Sequence, residues 1–333
     1  MKSIAFFNNK GGVGKTTLLC NMAGYLCKKL GKKVLVIDAD PQCNTTTYTL
    51  EDDQFYSIYF DPKDFTISDL IPPLEDGEGF VSTFTPVKTK YFGFDIIPGN
   101  PTFAASEDFL ANEWKDVKSS DYRGIRSSLL FSHFLTLCAD YDFVLFDMGP
   151  SLGAINRAIL LACDYFITPM SSDVFSLLAL GNIGKSINSW REIFRIGFNG
   201  LAPDKSKKIE SIPHSCNIRF LGYVEQQYIT KSVDGQSRAV RAYDEILQKI
   251  PQEISEKVVV PINGNVFEDF NYKIGSIPNY HSLVPMSQTA HNPIFDLSSV
   301  DGVVGAHYQK VKEFGDLMKK IIDELFEHME VIK

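Results

Sequence analysis

The sequence predicts an α/β fold: a doubly wound, mostly parallel, twisted sheet with helices on both faces. Three observations predict it. Short apolar runs at 4–7, 34–37 and 143–146 have the unbroken hydrophobicity of strands covered on both sides. Segments with apolar residues at helical spacing, at 15–30, 153–162 and 173–195, alternate with such runs. The first run also meets its helix through a glycine-rich turn, Gly11-Gly12-Val13-Gly14. A strand–loop–helix–strand unit of this kind opens a parallel sheet.

Each element follows in order. Residues 4–7 form a buried strand bounded by Asn8 and Asn9. The helix at 15–30 ends in lysines, where cations suit the helix dipole, and Gly31 stops it. Residues 34–37 form the next strand and end at Asp38. Residues 66–71 read as a short helix, 80–87 and 92–97 as strands, and 103–112 and 123–139 as helices. The strand at 143–146 ends at Asp147 and the turn Met148-Gly149-Pro150. Helix 153–162, strand 165–169 and helix 173–195 continue the alternation. Residues 199–217, rich in lysine and carrying two prolines, read as an exposed loop. Strand 220–224, helix 237–250 and a short strand at 258–260 follow. Residues 261–301 give no clear pattern, and 304–329 is a long amphipathic helix. No linker divides the chain, so 1–333 reads as a single domain.

Composition narrows the function. The 333 residues are 44% hydrophobic, enough for a substantial core without staples. A net charge of −8 argues against a uniformly basic nucleic-acid binder, though not against a local basic patch. The six cysteines are scattered with no C-x-x-C pair, which disfavours a disulfide framework or zinc knuckle and suits a reducing cytoplasm. No run approaches the roughly 20 apolar residues of a membrane span.

The chemistry is concentrated after the first strand. The phosphate-binding P-loop pattern ends in Gly-Lys-Ser/Thr, matched here by Gly14-Lys15-Thr16 and followed by Thr17. The pattern's first glycine is replaced by Asn9, and a second lysine, Lys10, follows it. Glycines 11, 12 and 14 free the backbone to curl its N–H groups toward phosphate oxygens, and the helix start adds a positive dipole end. Lys15 is placed to reach the β- and γ-phosphates of ATP, and Thr16 to offer a hydroxyl to Mg²⁺. Asp38, Asp40 and Asp147 sit at strand ends, where an open parallel sheet gathers its ligand.

These segments closely resemble the ParA/MinD family of P-loop ATPases, whose Walker A motif is deviant. The residues that carry the likeness are KGGVGKTT at 10–17, VLVIDADPQCN at 34–44, IIPGNP at 96–101, YDFVLFDMGPSLG at 141–153 and DYFITPMSSDVFSLLALG at 164–181. It covers 1–185 well and is loose beyond, which marks about 186–301 as a region divergent from the family, although FLGYVEQQY at 220–228 is similar to a later family strand. The resemblance implies an ATP-sandwich homodimer with slow, Mg²⁺-dependent hydrolysis. It gives Lys10 the role of the lysine that reaches the partner's nucleotide, and Lys15 and Gly11–Thr17 the phosphate cradle. Asp40 would position the attacking water, and Thr16, Asp38 and Asp147 would serve the Mg²⁺. Two departures stand out. Gly149 replaces a proline usual after the strand-end aspartate, which predicts a more flexible turn. The family's arginine-bearing strand end has no counterpart; Pro261-Ile262-Asn263-Gly264 is where one is expected.

Within the family the sequence is most similar to ParA. Cys138 and Cys163 fall at core positions rather than as cluster ligands, and no tyrosine-rich tail is present. The last helix has mixed charge, so it reads as packing on the sheet, not on a membrane. Residues 185–249 hold eleven Lys/Arg and seven Asp/Glu, a net of +4 against −12 elsewhere. That patch, with Arg238, Arg241 and Lys249, reads either as a non-specific DNA surface or as a solvated face. The ParA likeness implies DNA partition, a nucleoid-associated cytoplasmic location and a ParB-like centromere-binding activator. An ATP-gated protein that positions other cargo, or regulates an effector in a mobile or defence system, is the alternative.

Overall fold

The computed structural model describes residues 1–60, 64–171, 174–228, 249–264, 270–280 and 282–332. The strands are β1 (Lys2–Phe6), β2 (Val34–Asp38), β3 (Val87–Lys88), β4 (Asp95–Ile97), β5 (Phe143–Asp147), β6 (Tyr165–Ser171), β7 (Arg219–Tyr228) and β8 (Lys273–Pro278). They form one sheet in the order β3-β4-β2-β5-β1-β6-β7-β8. Every pairing is parallel except that of the edge strand β3 with β4.

The apolar runs explain the centre. All residues of β2 and β5, and all of β1 after Lys2, are buried, because helices cover both faces. The chain leaves β1 toward β2 on one side and leaves β5 toward β6 on the other. Right-handed crossovers in opposite directions put the helices Lys15–Lys28 and Ala154–Ala162 on opposite faces. The C-terminal helix His307–Val331 joins the first face, packing on Lys15–Lys28, β7 and β8. Its stripe Val311, Phe314, Met318, Ile321 and Leu325 is buried there, as the mixed charge of the helix leads one to expect. Helix Val174–Asn199 joins the second face beside Ala154–Ala162. No helix among the described residues is long and apolar enough to cross a membrane.

Several elements differ from expectation. Of 80–87 only Val87–Lys88 pairs as strand; Pro86 has no N–H to give a ladder. The helix expected at 123–139 is two, Tyr122–Ser128 and Leu130–Thr136, broken at Leu129. The loop at 199–217 contains a helical turn, Pro203–Ser206, and buries Ile209, Ile212 and Cys216 against Val117, Ile125 and Phe194. Residues 258–260 are helical, spanning the end of a π-turn Ser255–Val259 and the start of helix Val260–Asn263, both packed on Val174–Asn199, so the β-branched run is overridden by its packing. Helix Asp52–Phe60 and strand β8 were not expected. The helix expected at 237–250 lies, apart from its last two residues, outside the described residues.

Candidate functional site

The turn after β1 is set by glycine. Gly12 and Gly14 have φ of 72° and 75°, a left-handed conformation costly for side-chain-bearing residues. A Cβ on Gly14 would also stand 3.1 Å from Gln226 Oε1. Asn8 fastens the turn: its Nδ2 donates to the Pro169 carbonyl at 2.8 Å, and its Oδ1 accepts from Lys10 N at 3.0 Å. Helix Lys15–Lys28 starts at Gly14 with no side-chain cap and no acid in its first turn. Its first N–H groups and positive dipole end are therefore left for an anion. Lys15, buried at the helix start, reaches back to the Lys10 carbonyl at 3.5 Å. Burial lowers its pKa, opposed by the nearby Asp147 and Asp40.

Three strand ends converge below the loop. In register, Asp147 of β5 stands beside Phe6 of β1 and Asp38 of β2. Asp147 Oδ2 accepts from Thr16 Oγ1 at 2.7 Å and Thr45 Oγ1 at 2.6 Å. Asp38 Oδ2 accepts from the backbone N and Oγ1 of Thr46 at 2.8 and 2.7 Å. The second oxygen of each carboxylate is buried without a hydrogen-bond partner. Burial, and then the charge of Asp147, push Asp38 up to about 8; burial also raises Asp147. Two desolvated carboxylates on adjacent strands form a site that a cation would stabilise. The donors suit Mg²⁺: a Thr16 hydroxyl beside an orphaned carboxylate oxygen, both hard oxygen ligands. Among the described residues no cluster of three His, Cys, Asp or Glu could cage a metal alone. That fits an ion that keeps water and phosphate oxygens in its shell.

Above these groups lies a cleft of about 950 Å³. Gly11 to Thr17 form its floor, and Asp40, Gln42, Asn44, Thr47 and Pro150 one wall. Asp40 Oδ1 accepts from Gln42 N at 3.0 Å. The turn at Gly149 comes against the Asp40 carboxylate, 3.5 Å from where a Cβ would stand. Asn156 Nδ2 pins this turn by donating to the Gly149 and Ser151 carbonyls, so the expected looseness is countered. Gln288, Thr289 and His291, from the segment that sequence patterning left unassigned, also line the cleft, next to helix Asn44–Thr49. A smaller apolar recess, lined by Leu18, Gln226, Ile277, Pro278 and Tyr280, meets the cleft at Gly14 and Thr17.

The structure thus brings Lys15, Thr16, Asp38, Asp40 and Asp147 to one end of the sheet. Asp38 and Asp147 lie beneath the cleft rather than on its surface, at 0% and 1% exposure. Lys10 precedes the loop and is partly exposed. Arg238 and Arg241 lie outside the described residues, and Lys249 is exposed. The final sheet strand ends at Pro278; Pro261 to Asn263 are helical with Gly264 as a left-handed cap, and Asn263 is occupied in clamping Phe220 N and O. Sequence reasoning missed Thr45, Thr46, Gln226 and the Gln288–His291 wall. A run of threonines right after Asp38-Ala-Asp40 was the one available signal for the first two.

The match to known proteins agrees with this geometry. Residues 1–198 match the AAA domain family AAA_31. The virulence plasmid ParA family protein pGP5-D of Chlamydia psittaci is 30% identical over 192 residues, covering 55% of this chain and 62% of that protein. The chain spans about three-fifths of the length of the first curated relatives it matches. Among solved structures, protein DIP2308 of Corynebacterium diphtheriae is 30% identical, with a TM-score of 0.68 over 87% of this chain and 97% of that one. A candidate plasmid partition protein of Borrelia burgdorferi bound to AMPPNP shares the fold at 20% identity, with a TM-score of 0.58 over 98% of each chain. With its P-loop, its second lysine ahead of the glycines and its paired strand-end aspartates, the chain belongs to the AAA domain family and, within it, to the ParA/MinD-type P-loop ATPases.

Proposed function

We propose that this chain is an ATP-dependent switch that dimerises across Mg·ATP, hydrolyses it slowly and partitions or positions DNA, with a ParB-like partner as activator. The observation that carries the proposal is the uncapped helix start over Gly11 to Thr16, with Thr16 donating to Asp147 at 2.7 Å. The loop amides and Lys15 hold the triphosphate tail, and the apolar recess beside Thr17 takes the base. Thr16 and Asp147 hold the Mg²⁺, which when bound neutralises charge on the β- and γ-phosphates. Asp40, on the cleft wall, orients the water that attacks the γ-phosphate. Lys10 reaches the nucleotide of a second copy, so an isolated chain lacks one catalytic cation. A cation supplied in trans is worth on the order of 10³–10⁵ in rate in comparable enzymes. The likeness to a plasmid ParA family protein and to a candidate partition protein supports the choice of DNA as cargo.

Sedimentation velocity tests the switch. ATP with Mg²⁺ should double the mass where ADP does not, and Lys10→Ala should bind ATP yet remain a monomer without turnover. A Lys10→Ala protein that dimerises and hydrolyses normally would overturn the sandwich. Retention on random duplex DNA with ATP, lost between low and moderate salt, tests the cargo. Absence of retention at low salt removes DNA from the proposal.

A further inference from the structure

The Gln288–His291 side of the cleft is held by buried hydrogen bonds, although its segment has no strong sequence pattern. Helix Leu283–Thr289 is tied to the switch-side helix Asn44–Thr49 by Tyr48 Oη and Ser287 Oγ at 2.5 Å, both groups almost fully buried. Asn21 of the P-loop helix donates to Tyr48 Oη at 3.2 Å and accepts from Ile294 N at 2.8 Å. Ser287 Oγ donates to the Asn292 carbonyl at 2.5 Å. These bonds bracket His291 on both sides and fix its place on the cleft.

His291 itself has φ of 48°, one of four non-glycine residues among those described with positive φ. Histidine tolerates that region better than most residues, but a glycine would occupy it without strain. Strained backbone held by its surroundings is a pointer to function. Its Nδ1 lies 3.2 Å from the Tyr48 carbonyl. A carbonyl only accepts, so Nδ1 carries the hydrogen. In the neutral imidazole the remaining lone pair is then at Nε2, an acceptor. An acceptor repels phosphate oxygens and pairs with a donor.

We propose that His291 is a nucleotide-specificity residue whose Nε2 accepts a hydrogen bond from a donor on the bound nucleotide, namely a ribose hydroxyl. This rests on the nucleotide reading above. With phosphates over Gly11 to Thr16 and the base in the recess, the ribose falls where cleft and recess meet, at Gly14 and Thr17, and Thr17 lines the cleft together with His291. The base's exocyclic amine is the other donor of the same chemistry, and the experiment separates the two.

Isothermal titration with Mg²⁺ is run for ATP, 2′-deoxy-ATP, 3′-deoxy-ATP and purine riboside triphosphate, which lacks the amine. The wild type should bind ATP about three- to ten-fold more tightly than one deoxy analogue, the worth of one neutral hydrogen bond. His291→Gly, which relieves the positive φ, should keep its thermal stability, lower ATP affinity to that of the deoxy analogue, and bind the two within about two-fold. His291→Asn, also tolerant of the left-handed region, serves should the glycine variant fail to fold. Discrimination only against purine riboside triphosphate, lost in the variants, would transfer the contact to the base amine. Equal binding of all four by the wild type, or an unchanged preference in both variants, overturns the assignment. A wild type that binds no nucleotide at all overturns the nucleotide reading itself and this inference with it.

Discussion

The buried carboxylate pair makes a testable statement about stability. Asp38 is fully buried beside Asp147, and its carboxyl is displaced from the ordinary 3.8 to about 8, chiefly by loss of solvation. The folded, nucleotide-free protein therefore keeps a proton at Asp38 through a pH range in which the unfolded chain has released it. The stability that this proton preserves is complete below about 3.8 and is lost as pH rises through about 8. At ~1.4 kcal/mol per pH unit the displacement has a ceiling of roughly 6 kcal/mol. Because Asp147 shares the burden, an effect on the order of 3 kcal/mol is the working figure. Asp38→Asn tests it cleanly. The amide oxygen still accepts from Thr46 N and Oγ1, and no charge is buried. Thermal unfolding followed by circular dichroism from pH 4 to pH 9, without nucleotide or Mg²⁺, should give nearly coincident midpoints for the two proteins at pH 4. By pH 9 the variant should be the more stable by roughly 5 °C or more. Parallel pH profiles for the two proteins, or a wild type that gains on Asp38→Asn with rising pH, would refute the reasoning.

Three further outcomes follow from the same contacts. Thr45→Val removes one of two hydroxyls on Asp147 Oδ2 and should cost about 1–3 kcal/mol in urea unfolding, because a buried acceptor loses its donor. Gly14→Ala forces a side chain into φ of 75° against Gln226, and should abolish nucleotide binding measured by equilibrium dialysis while the far-ultraviolet spectrum stays native. Tyr48→Phe strands Ser287 and Asn21, and should lower stability by about 1–3 kcal/mol and speed amide exchange in 283–294 relative to the rest of the sheet.

The central strands were legible because a strand covered on both faces needs no alternation, only apolar residues. Phe143–Phe146 meets that requirement throughout, and Asp147 closes the strand. Strand β8 was illegible for the opposite reason. Its buried residues, Ile274 and Ile277, stand three apart rather than two, and its polar Lys273 and Ser276 turn onto the buried Glu225 carboxylate at 2.8 Å each, so the strand shows no period-two alternation. Residues 258–260 misled because β-branched residues suit strands locally, whereas packing against Val174–Asn199 holds them in a helical turn.

The site divides in the same way. Gly12, Gly14, Lys15 and Thr16 fall within five consecutive residues, so the pattern proposed as a phosphate cradle is a local one. Asp38 and Asp147 stood out as candidates because acids that end apolar strands are conspicuous, and both do end strands. Thr45, Thr46 and His291 act through contacts 102, 8 and 243 residues away in sequence, which no local pattern records. Such groups become visible only when the sheet brings its strand ends together.

The most direct test of the whole account is calorimetric titration of the wild-type chain with ATP in the presence of Mg²⁺, alongside Lys15→Ala. Saturable binding of one nucleotide per chain, lost in the variant, is the predicted result. Absence of heat and of any protection against thermal unfolding at millimolar ATP would contradict it.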